Sequence, residues 1–428
     1  MKRYIEIVIL ITLTLSTITR VSSQSIYTLD DCLQKAVQNH PLSRQYGYIS
    51  SSTDLVIKNL NQNYLPELDL LGQVSYQSDV TAVPVTVPLP AFEIEPVDKD
   101  WYKVYLDARQ IIYDGGAIKN GKELESYNGK VSSQSLDVEL YKLKNQVVST
   151  YFTILVMQEG KNLLELKKSS VESSLKEVTV AVNNGVILAS NRDILKAEIL
   201  KIEQQLKETE TAIEFGKRTL SELISEPLPQ DAVLQLPVTE DEVLLLTENK
   251  RPEYGLFSLQ KERLDVMQDA TRVKNMPSLF AWGQAGGGRP ALDMLNNDFT
   301  GYYIVGMTIK WKPYDWNKAK NQREILGLNQ DIIETQKETF DKNVRIAMNQ
   351  NLLEIAKYKE LIERDEEIIA LRQNISKSSE SQLNNGIITS TQYITELNSE
   401  TEARMQLQLH RIKLVQAHID YKSTFGEL

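Results

Sequence analysis

Few residues in this chain have the types and spacing that catalysis or metal binding requires. The sequence contains one cysteine, Cys32, and three histidines, His40, His410 and His418. A zinc site needs about four ligands at close spacing, which scattered histidines and one thiol do not supply. The carboxylates at 365–367 lie within a helical pattern, where we expect a solvated face. The sequence therefore predicts no catalytic centre, no metal and no cofactor, and Cys32 is expected to be a small buried apolar residue.

A glycine-rich segment at 283–290 is the remaining motif with chemical potential. It lacks the lysine and the Ser or Thr of a phosphate-binding loop, so we expect a strand end and a loop there. The formal net charge of -10, with both signs mixed along the chain, argues against a nucleic-acid partner, which would require a basic face.

The N-terminus has the pattern of a secretory signal peptide. Lys2 and Arg3 precede an apolar run at 7–18, and a cleavage site follows Ser23. No later stretch approaches the ~20 apolar residues of a transmembrane helix. Residues 1–23 are therefore predicted to be a signal peptide of an exported protein.

The mature chain contains the same pattern twice. A first repeat at 24–238 and a second at 239–428 meet near a proline cluster at 227–237, and the first has a longer, proline-rich loop. The repeated residues include Thr28, Asp30 and Leu33 with Thr239, Asp241 and Leu244, Leu68, Gly72 and Gln73 with Leu279, Gly283 and Gln284, and Tyr113 and Asp114 with Tyr314 and Asp315.

Each repeat contains two segments with a period of two, at about 66–78, 101–113, 277–287 and 301–312. Tyr102, Val104 and Leu106 share one face of the second strand, while Lys103, Asp107 and Arg109 share the other; in the fourth, Tyr303, Val305 and Met307 oppose Lys310. The third is ambiguous, because Phe280 and Trp282 lie on its expected polar face. A soluble β-sandwich, in which each sheet has one solvent-exposed face, would show the same alternation. If the strands lie in a membrane, four cannot close a barrel, so several chains must share one.

After each strand pair the pattern becomes helical and is unusually long. No proline occurs at 115–184, and Leu140, Leu143, Val147 and Tyr151 step by three and four. About 70 residues would give a helix of roughly 105 Å, too long for one globular core. Asn-Asn-Gly ends this helix at 183–185 and its counterpart at 384–386, which predicts a left-handed cap followed by a returning helix.

These motifs, taken in order and duplicated, resemble the TolC family of outer-membrane efflux proteins. They are Thr-Leu-Asp-Asp-Cys-Leu at 28–33, Tyr-Leu-Pro-Glu-Leu at 64–68, Ile-Tyr-Asp-Gly-Gly at 112–116, Asp-Ile-Leu-Lys-Ala-Glu at 193–198 and Asn-Asn-Gly-Ile-Ile-Thr-Ser-Thr at 384–391. The resemblance implies an α+β chain of mainly long helices. It implies a homotrimer with a tapering α-helical barrel and a shared twelve-strand transmembrane β-barrel, four strands from each chain.

The resemblance also implies a location and partners. The trimer would be a passive duct in the outer membrane lipid of a Gram-negative bacterium, extending into the periplasm. A periplasmic adaptor would join it to an inner-membrane pump of the RND or ABC type for efflux or type I secretion.

The turns after the two long helices are the candidate site. We expect their exposed segments to form the periplasmic mouth and to dock the adaptor. For the two glycines alone, the simpler interpretation is a structural role as helix caps. The candidate docking residues are Gly185, Val186, Ile187, Ala189, Gly386, Ile387, Ile388 and Ser390. In relatives, acidic residues just after the second turn narrow the mouth. Here Gln392 and Tyr393 occupy that region, and Glu396 is the candidate constriction residue.

Two other classes compete with the channel. A periplasmic adaptor or structural coiled-coil protein also carries long helical hairpins, but adaptors have one hairpin between β-domains and not a duplicated strand and hairpin unit. An exported enzyme would need a catalytic site, and the sequence offers none.

Overall fold

A computed structural model describes residues 26–81, 97–229, 231–238 and 248–428. The predicted signal peptide, the prolines at 84–96 and the repeat positions Thr239, Asp241 and Leu244 lie outside the described residues. In the first half the elements are β1 (Ile26–Tyr27), α1 (Leu29–Asn39), a 3-10 turn (Pro41–Arg44), α2 (Gln45–Gln62), β2 (Glu67–Tyr76), β3 (Asp100–Tyr113), α3 (Ala117–Asn183) and α4 (Ala189–Ile224). β4 (Val233–Leu234) is the last element of the first half, and the second half contains α5 (Pro252–Val273), β5 (Ser278–Arg289), β6 (Thr300–Lys310), α6 (Lys318–Asn384) and α7 (Ser390–Thr424).

The chain divides into two compact units, and each takes segments from both halves. The helical unit comprises the described residues within Met1–Ser43, Val138–Arg251 and Lys342–Leu428. The sheet unit comprises those within Arg44–Asp137 and Pro252–Asp341. The order of strands and long helices occurs twice, as the sequence indicates, and the repeat boundary at 238/239 stays a prediction.

The first helix begins after the N-cap residue Thr28. The Thr28 hydroxyl accepts a hydrogen bond from the Asp31 N–H at 3.2 Å, and the Asp31 carboxylate accepts one from the Thr28 N–H at 3.3 Å. This capping box satisfies two backbone donors and lowers the pKa of Asp31. Cys32 is fully buried in the next turn, as expected, and burial raises the pKa of its thiol to about 11. The thiol is therefore a packing residue and not a reactive one.

The long helices α3 and α6 each contain 67 residues, which confirms the length predicted from the pattern. The apolar stripe of α3 is buried, with Val147, Tyr151 and Ile154 wholly inaccessible. The Tyr151 hydroxyl lies 2.8 Å from the Tyr27 carbonyl oxygen and 2.6 Å from that of Gln235. It thereby fixes the parallel pair β1 and β4 to the helical core. Among the described residues, no helix is both apolar enough and long enough to traverse a membrane.

The sheet unit contains one antiparallel sheet of four strands in the order β2-β3-β5-β6. The strands lie within about two residues of their predicted bounds, a normal uncertainty for element ends. One face exposes the apolar residues expected there, with Tyr303, Val305 and Met307 each 72–76% accessible. Within the described part of the chain, β2 and β6 have no partner on their outer sides.

Candidate functional site

The polar face of the sheet holds a cleft of about 460 Å³. Its lining residues come from three adjacent strands: Asp107, Arg109, Phe280, Trp282, Gln284, Thr308 and Lys310. The register pairs Trp282 with Arg109 and Gln284 with Asp107. Phe280 and Trp282 therefore lie on the polar face, which settles the ambiguity that the sequence leaves in the third strand.

Hydrogen bonds fix the side chains of this cleft. The Gln284 amide donates to the Asp107 carboxylate at 2.7 Å, and the Trp282 indole N–H donates to the Thr308 hydroxyl at 3.0 Å. Gly306 lies opposite Trp282 in the sheet, and a Cβ there would lie 2.8 Å from the indole Cζ2 atom. The absence of a side chain at Gly306 is thus what lets the indole lie over the neighbouring strand.

In the helical unit, the two predicted turns have the same cap. Gly185 and Gly386 have φ angles of +74° and +70°, which glycine adopts without the strain of a Cβ. The Gly185 N–H donates to the Val182 carbonyl at 3.0 Å, and the Val186 N–H donates to the Ala181 carbonyl at 2.9 Å. This is the Schellman arrangement, and α6 ends in the same way. The predicted capping role of both glycines is confirmed.

The predicted docking residues differ in accessibility. Val186 and Ile387 are 67% and 70% exposed, respectively, as an exposed tip requires. Gly185, Ala189 and Gly386 are also exposed, and Ile187 and Ile388 are half-buried. Their role in docking stays a prediction.

Ser390 is the exception and corrects the expectation of a continuous exposed segment. Its accessibility is 0%, and its backbone N–H donates to the Asn191 side-chain oxygen at 2.7 Å. Ser390 begins α7 and Asn191 lies in the first turn of α4, so this bond draws the residue between the two hairpins. The surrounding apolar cluster takes residues from all four long helices: Val171, Val178, Leu195, Ile202, Leu383, Tyr393, Ile394 and Leu397.

Glu396, the candidate constriction residue, is paired within its own hairpin. Its carboxylate lies 3.3 Å from the Arg372 guanidinium, and both side chains are partly exposed. Gln392 completes a capping box with Thr389, and Tyr393 is buried. Because a neighbouring cation offsets the carboxylate, the charge available to a constriction is smaller than an unpaired acid would provide. The role of Glu396 stays a prediction.

The structure also contains polar pairs that the sequence analysis missed. The Asp365 carboxylate lies 2.5 Å from His410 Nδ1 and is only 8% exposed, so the expected solvated face is wrong for this residue. Lys167 and Glu198 form a buried ion pair of 2.6 Å between α3 and α4. For Lys167 and Glu198 the available signal was a charge at helical spacing from the stripe residues Val171 and Leu195. Among the described residues, no group of three or more His, Cys, Asp and Glu could hold a metal ion.

The chain contains the same unit twice, and each unit consists of one β-hairpin and one hairpin of very long helices. This is the protomer fold of the TolC-type outer membrane channels. The predicted resemblance and fold class are confirmed. Solved structures with this fold include the CmeC outer membrane channel of Campylobacter jejuni, with 15% identity, a TM-score of 0.69, and coverage of 93% of this chain and 85% of that chain.

CusC, described as forming a transmembrane channel, has 13% identity, a TM-score of 0.70, and coverage of 95% of this chain and 92% of that chain. The open state of the MtrE outer membrane channel of Neisseria gonorrhoeae has 16% identity and a TM-score of 0.65, with coverage of 93% and 88%, respectively. No family model and no curated protein sequence matches this chain. At these identities, the similarity establishes a shared fold.

Proposed function

We propose that this chain is the outer-membrane channel subunit of an export system, and that three copies form a passive duct through the outer membrane and periplasm. The observation that carries the proposal is the four-stranded sheet, which has one exposed apolar face and, among the described residues, no strand paired to either of its edges. Such a sheet is incomplete in a single chain.

The open edges require partners if the sheet lies in lipid. Hydrocarbon offers no hydrogen bonds, so every backbone N–H and C=O of β2 and β6 must pair with another strand. The same strands in neighbouring copies would supply the pairing and close a barrel. The strands contain 10 to 14 residues, and ~9–11 residues suffice for a tilted strand to span a membrane.

The two faces of the sheet divide as a membrane channel requires. Val74, Tyr303 and Val305 lie on the exposed apolar face, which would contact lipid. Asp107, Arg109 and Lys310 lie on the other face, which would line a water-filled lumen. A soluble adaptor or structural coiled-coil protein would leave this large apolar face in water, which disfavours both alternatives.

The helices carry an exposed apolar stripe that a neighbouring copy would cover. On α6, exposed large apolar residues recur at helical spacing: Ile325, Leu328 and Ile332 in the sheet unit, and Ile368, Leu371 and Ile375 in the helical unit. Packing of such stripes between copies would build the α-helical barrel of the trimer.

A passive duct needs an energy source and a substrate-recruiting partner. We infer a periplasmic adaptor that contacts the turns at 185–189 and 386–388, and an inner-membrane pump of the RND or ABC class. The chain itself would perform no chemistry.

The oligomeric state tests this proposal. The mature chain is expected to purify from outer membranes as a trimer in mild detergent, to separate into monomers only on strong heating, and to conduct ions in planar bilayers. A monodisperse monomer that stays in solution without detergent would contradict the proposal, since its edges and apolar face would then need no partner.

Thiol labelling tests the orientation of the sheet. In a Cys32→Ala background, Val305→Cys is expected to react with lipid-soluble maleimides and Lys310→Cys with aqueous ones. The reverse pattern would show that the two faces are assigned incorrectly.

A further inference from the structure

The polar face of the sheet carries an aromatic pair beside cationic groups. Phe280 and Trp282 lie one strand pleat apart on β5, with Arg109 on one neighbouring strand and Lys310 on the other. We propose that this aromatic–cationic cleft, formed by Phe280, Trp282, Thr308, Lys310 and Arg109, binds planar aromatic anions as they pass through the channel. The inference rests on the proposed function, because that function places the polar face in a lumen.

The aromatic preference follows from how Trp282 is held. Its indole N–H is occupied by the Thr308 hydroxyl, so the ring has no free donor to offer a ligand. The absence of a side chain at Gly306 lets the ring lie over β6. The Trp282 and Phe280 rings both line the cleft and give it apolar aromatic surface, on which aromatic ligands can pack.

The preference for an anion follows from which charges remain available. The cleft lining carries two cationic side chains, Arg109 and Lys310, and one carboxylate, Asp107, whose oxygen accepts a hydrogen bond from the Gln284 amide at 2.7 Å. Lys310 lies directly opposite Ser278 and not opposite a carboxylate. Neither Lys310 nor Arg109 forms an ion pair with any residue that the structure describes, although Glu67 lies opposite Arg109 in the register. A ligand carboxylate can therefore complete the coordination of Lys310.

The first β-hairpin shows that the repeat does not by itself produce this cleft. Its register is equivalent, because Asp69 pairs with Asp107 where Phe280 pairs with Thr308. Leu71 likewise occupies the position of Trp282, and it faces Tyr105 where Trp282 faces Gly306. The two aromatic residues and Lys310 therefore belong to the second hairpin, Arg109 comes from the first, and Leu71 provides a matched control position on the same face.

The cleft lies at one end of the strands. Arg109 is near the end of β3 that leads to α3, Phe280 is near the start of β5 after α5, and Lys310 is the last residue of β6 before α6. Three copies would place three clefts around the lumen at the barrel end that joins the helices.

Block of single channels by small probes tests the cleft. The probes are 1-naphthoate, cyclohexanecarboxylate as a non-aromatic anion of the same charge, and naphthylmethylammonium as an aromatic cation. Wild-type channels should be blocked most tightly by naphthoate. Trp282→Gln should weaken naphthoate block by about fivefold to tenfold, and Lys310→Gln by about twofold to fivefold. Leu71→Gln should leave the block unchanged, and Trp282→Phe should retain most of it.

The outcomes separate the two proposals. A wild-type chain that forms no channel overturns the proposed function. A conducting wild-type channel that naphthoate and cyclohexanecarboxylate block equally overturns the cleft alone, as does equal loss of block in Trp282→Gln and Leu71→Gln. If Trp282→Gln does not assemble, Lys310→Gln decides, since its side chain is exposed; unchanged naphthoate block in that variant overturns the cleft.

Discussion

The two helical hairpins, α3 with α4 and α6 with α7, have nearly the same lengths, and α3 and α6 end in the same glycine cap, but the interiors of the hairpins differ. Val171 and Leu195 of the first hairpin are both buried in the apolar cluster that all four helices share. The repeat places Arg372 and Glu396, a partly exposed ion pair, at the equivalent positions of the second. The backbone plan was therefore retained after duplication while the contacts inside each rod diverged.

At another pair of equivalent positions, the ion pair lies in the first hairpin and is missing from the second. The buried pair Lys167–Glu198 of the first hairpin is replaced by Ile368 and Ser399 in the second. The two hairpins therefore carry their ion pairs at different positions along the helices. A polar residue at an inward position disfavours alternative alignments, because a shifted partner would leave it unpaired. We expect these pairs to specify which helices associate and in which register.

The largest expected effect comes from breaking the buried pair of the first hairpin. Glu198→Ala should destabilise the protein by about 3–5 kcal/mol, because it leaves the Lys167 ammonium buried without a partner. The double variant Lys167→Met with Glu198→Leu should recover most of that loss. Denaturant unfolding of the trimer measures both, and a Glu198→Ala protein with wild-type stability would show that the pair does not fix the hairpin.

A second test compares equivalent positions at the two turns. Ser390→Arg should cost about 2–4 kcal/mol and lower the amount of trimer, because it places a charge in a fully buried site. Ala189→Arg, which substitutes the exposed equivalent, should leave trimers intact in the outer membrane and abolish export. Trimer level and export are measured on the same cells. Normal export by Ala189→Arg would remove the docking role proposed for the first turn.

A third test uses pH. Burial and the nearby Glu354 raise the pKa of Asp420 to about 6. In the first hairpin, Thr219 occupies the position equivalent to Asp420, and Thr153 the position equivalent to Glu354. The folded chain therefore binds the Asp420 proton more tightly than the unfolded chain. The associated stability is present below pH ~4 and is lost as the pH rises through about 6.

Asp420→Asn should accordingly raise stability by about 1–3 kcal/mol at pH 7.5 and change it little at pH 4. Thermal unfolding at the two pH values checks the difference, with Thr219→Asn as the matched substitution in the first hairpin. An equal effect of Asp420→Asn at both pH values would contradict the raised pKa.

The smallest expected effect concerns Glu396. Glu396→Gln should change stability by less than about 1 kcal/mol, because the pair with Arg372 is partly exposed and screened by solvent. If three such carboxylates narrow the mouth, the variant should lose part of a modest cation preference in single-channel recordings. Unchanged ion selectivity would remove the constriction role, and Arg372→Gln should shift selectivity in the opposite direction.

Local patterns in the sequence were sufficient for the elements and their caps. The stripe through Val147 and Tyr151, the glycines at 185 and 386 and the alternation in β3 each depend on residues within one or two turns of each other. The sequence patterns do not predict features that depend on contacts between residues far apart in the chain. The placement of the Trp282 ring depends on Gly306, its partner on the neighbouring strand. The burial of Ser390 depends on a hydrogen bond to Asn191 of the other hairpin.

The same limit applies to the interior polar pairs. Asp365 belongs to an acidic run that is typical of a solvated face, and only the position of His410 on α7 explains its burial. Spacing within α6 alone contains no information about that partner. Contacts between helices far apart in sequence must therefore be known before a buried charge can be distinguished from an exposed one.

The parallel pair of β1 and β4 has a consequence for the order in which the chain assembles. Ile26 and Tyr27 pair with Val233 and Leu234, and the Tyr151 hydroxyl lies against both segments. All of these residues precede the second repeat, so the first repeat can join its own two ends without any residue of the second. A chain released after residue 238 should therefore still protect the amide protons of β1 and β4 from exchange, whereas one released after residue 225 should not.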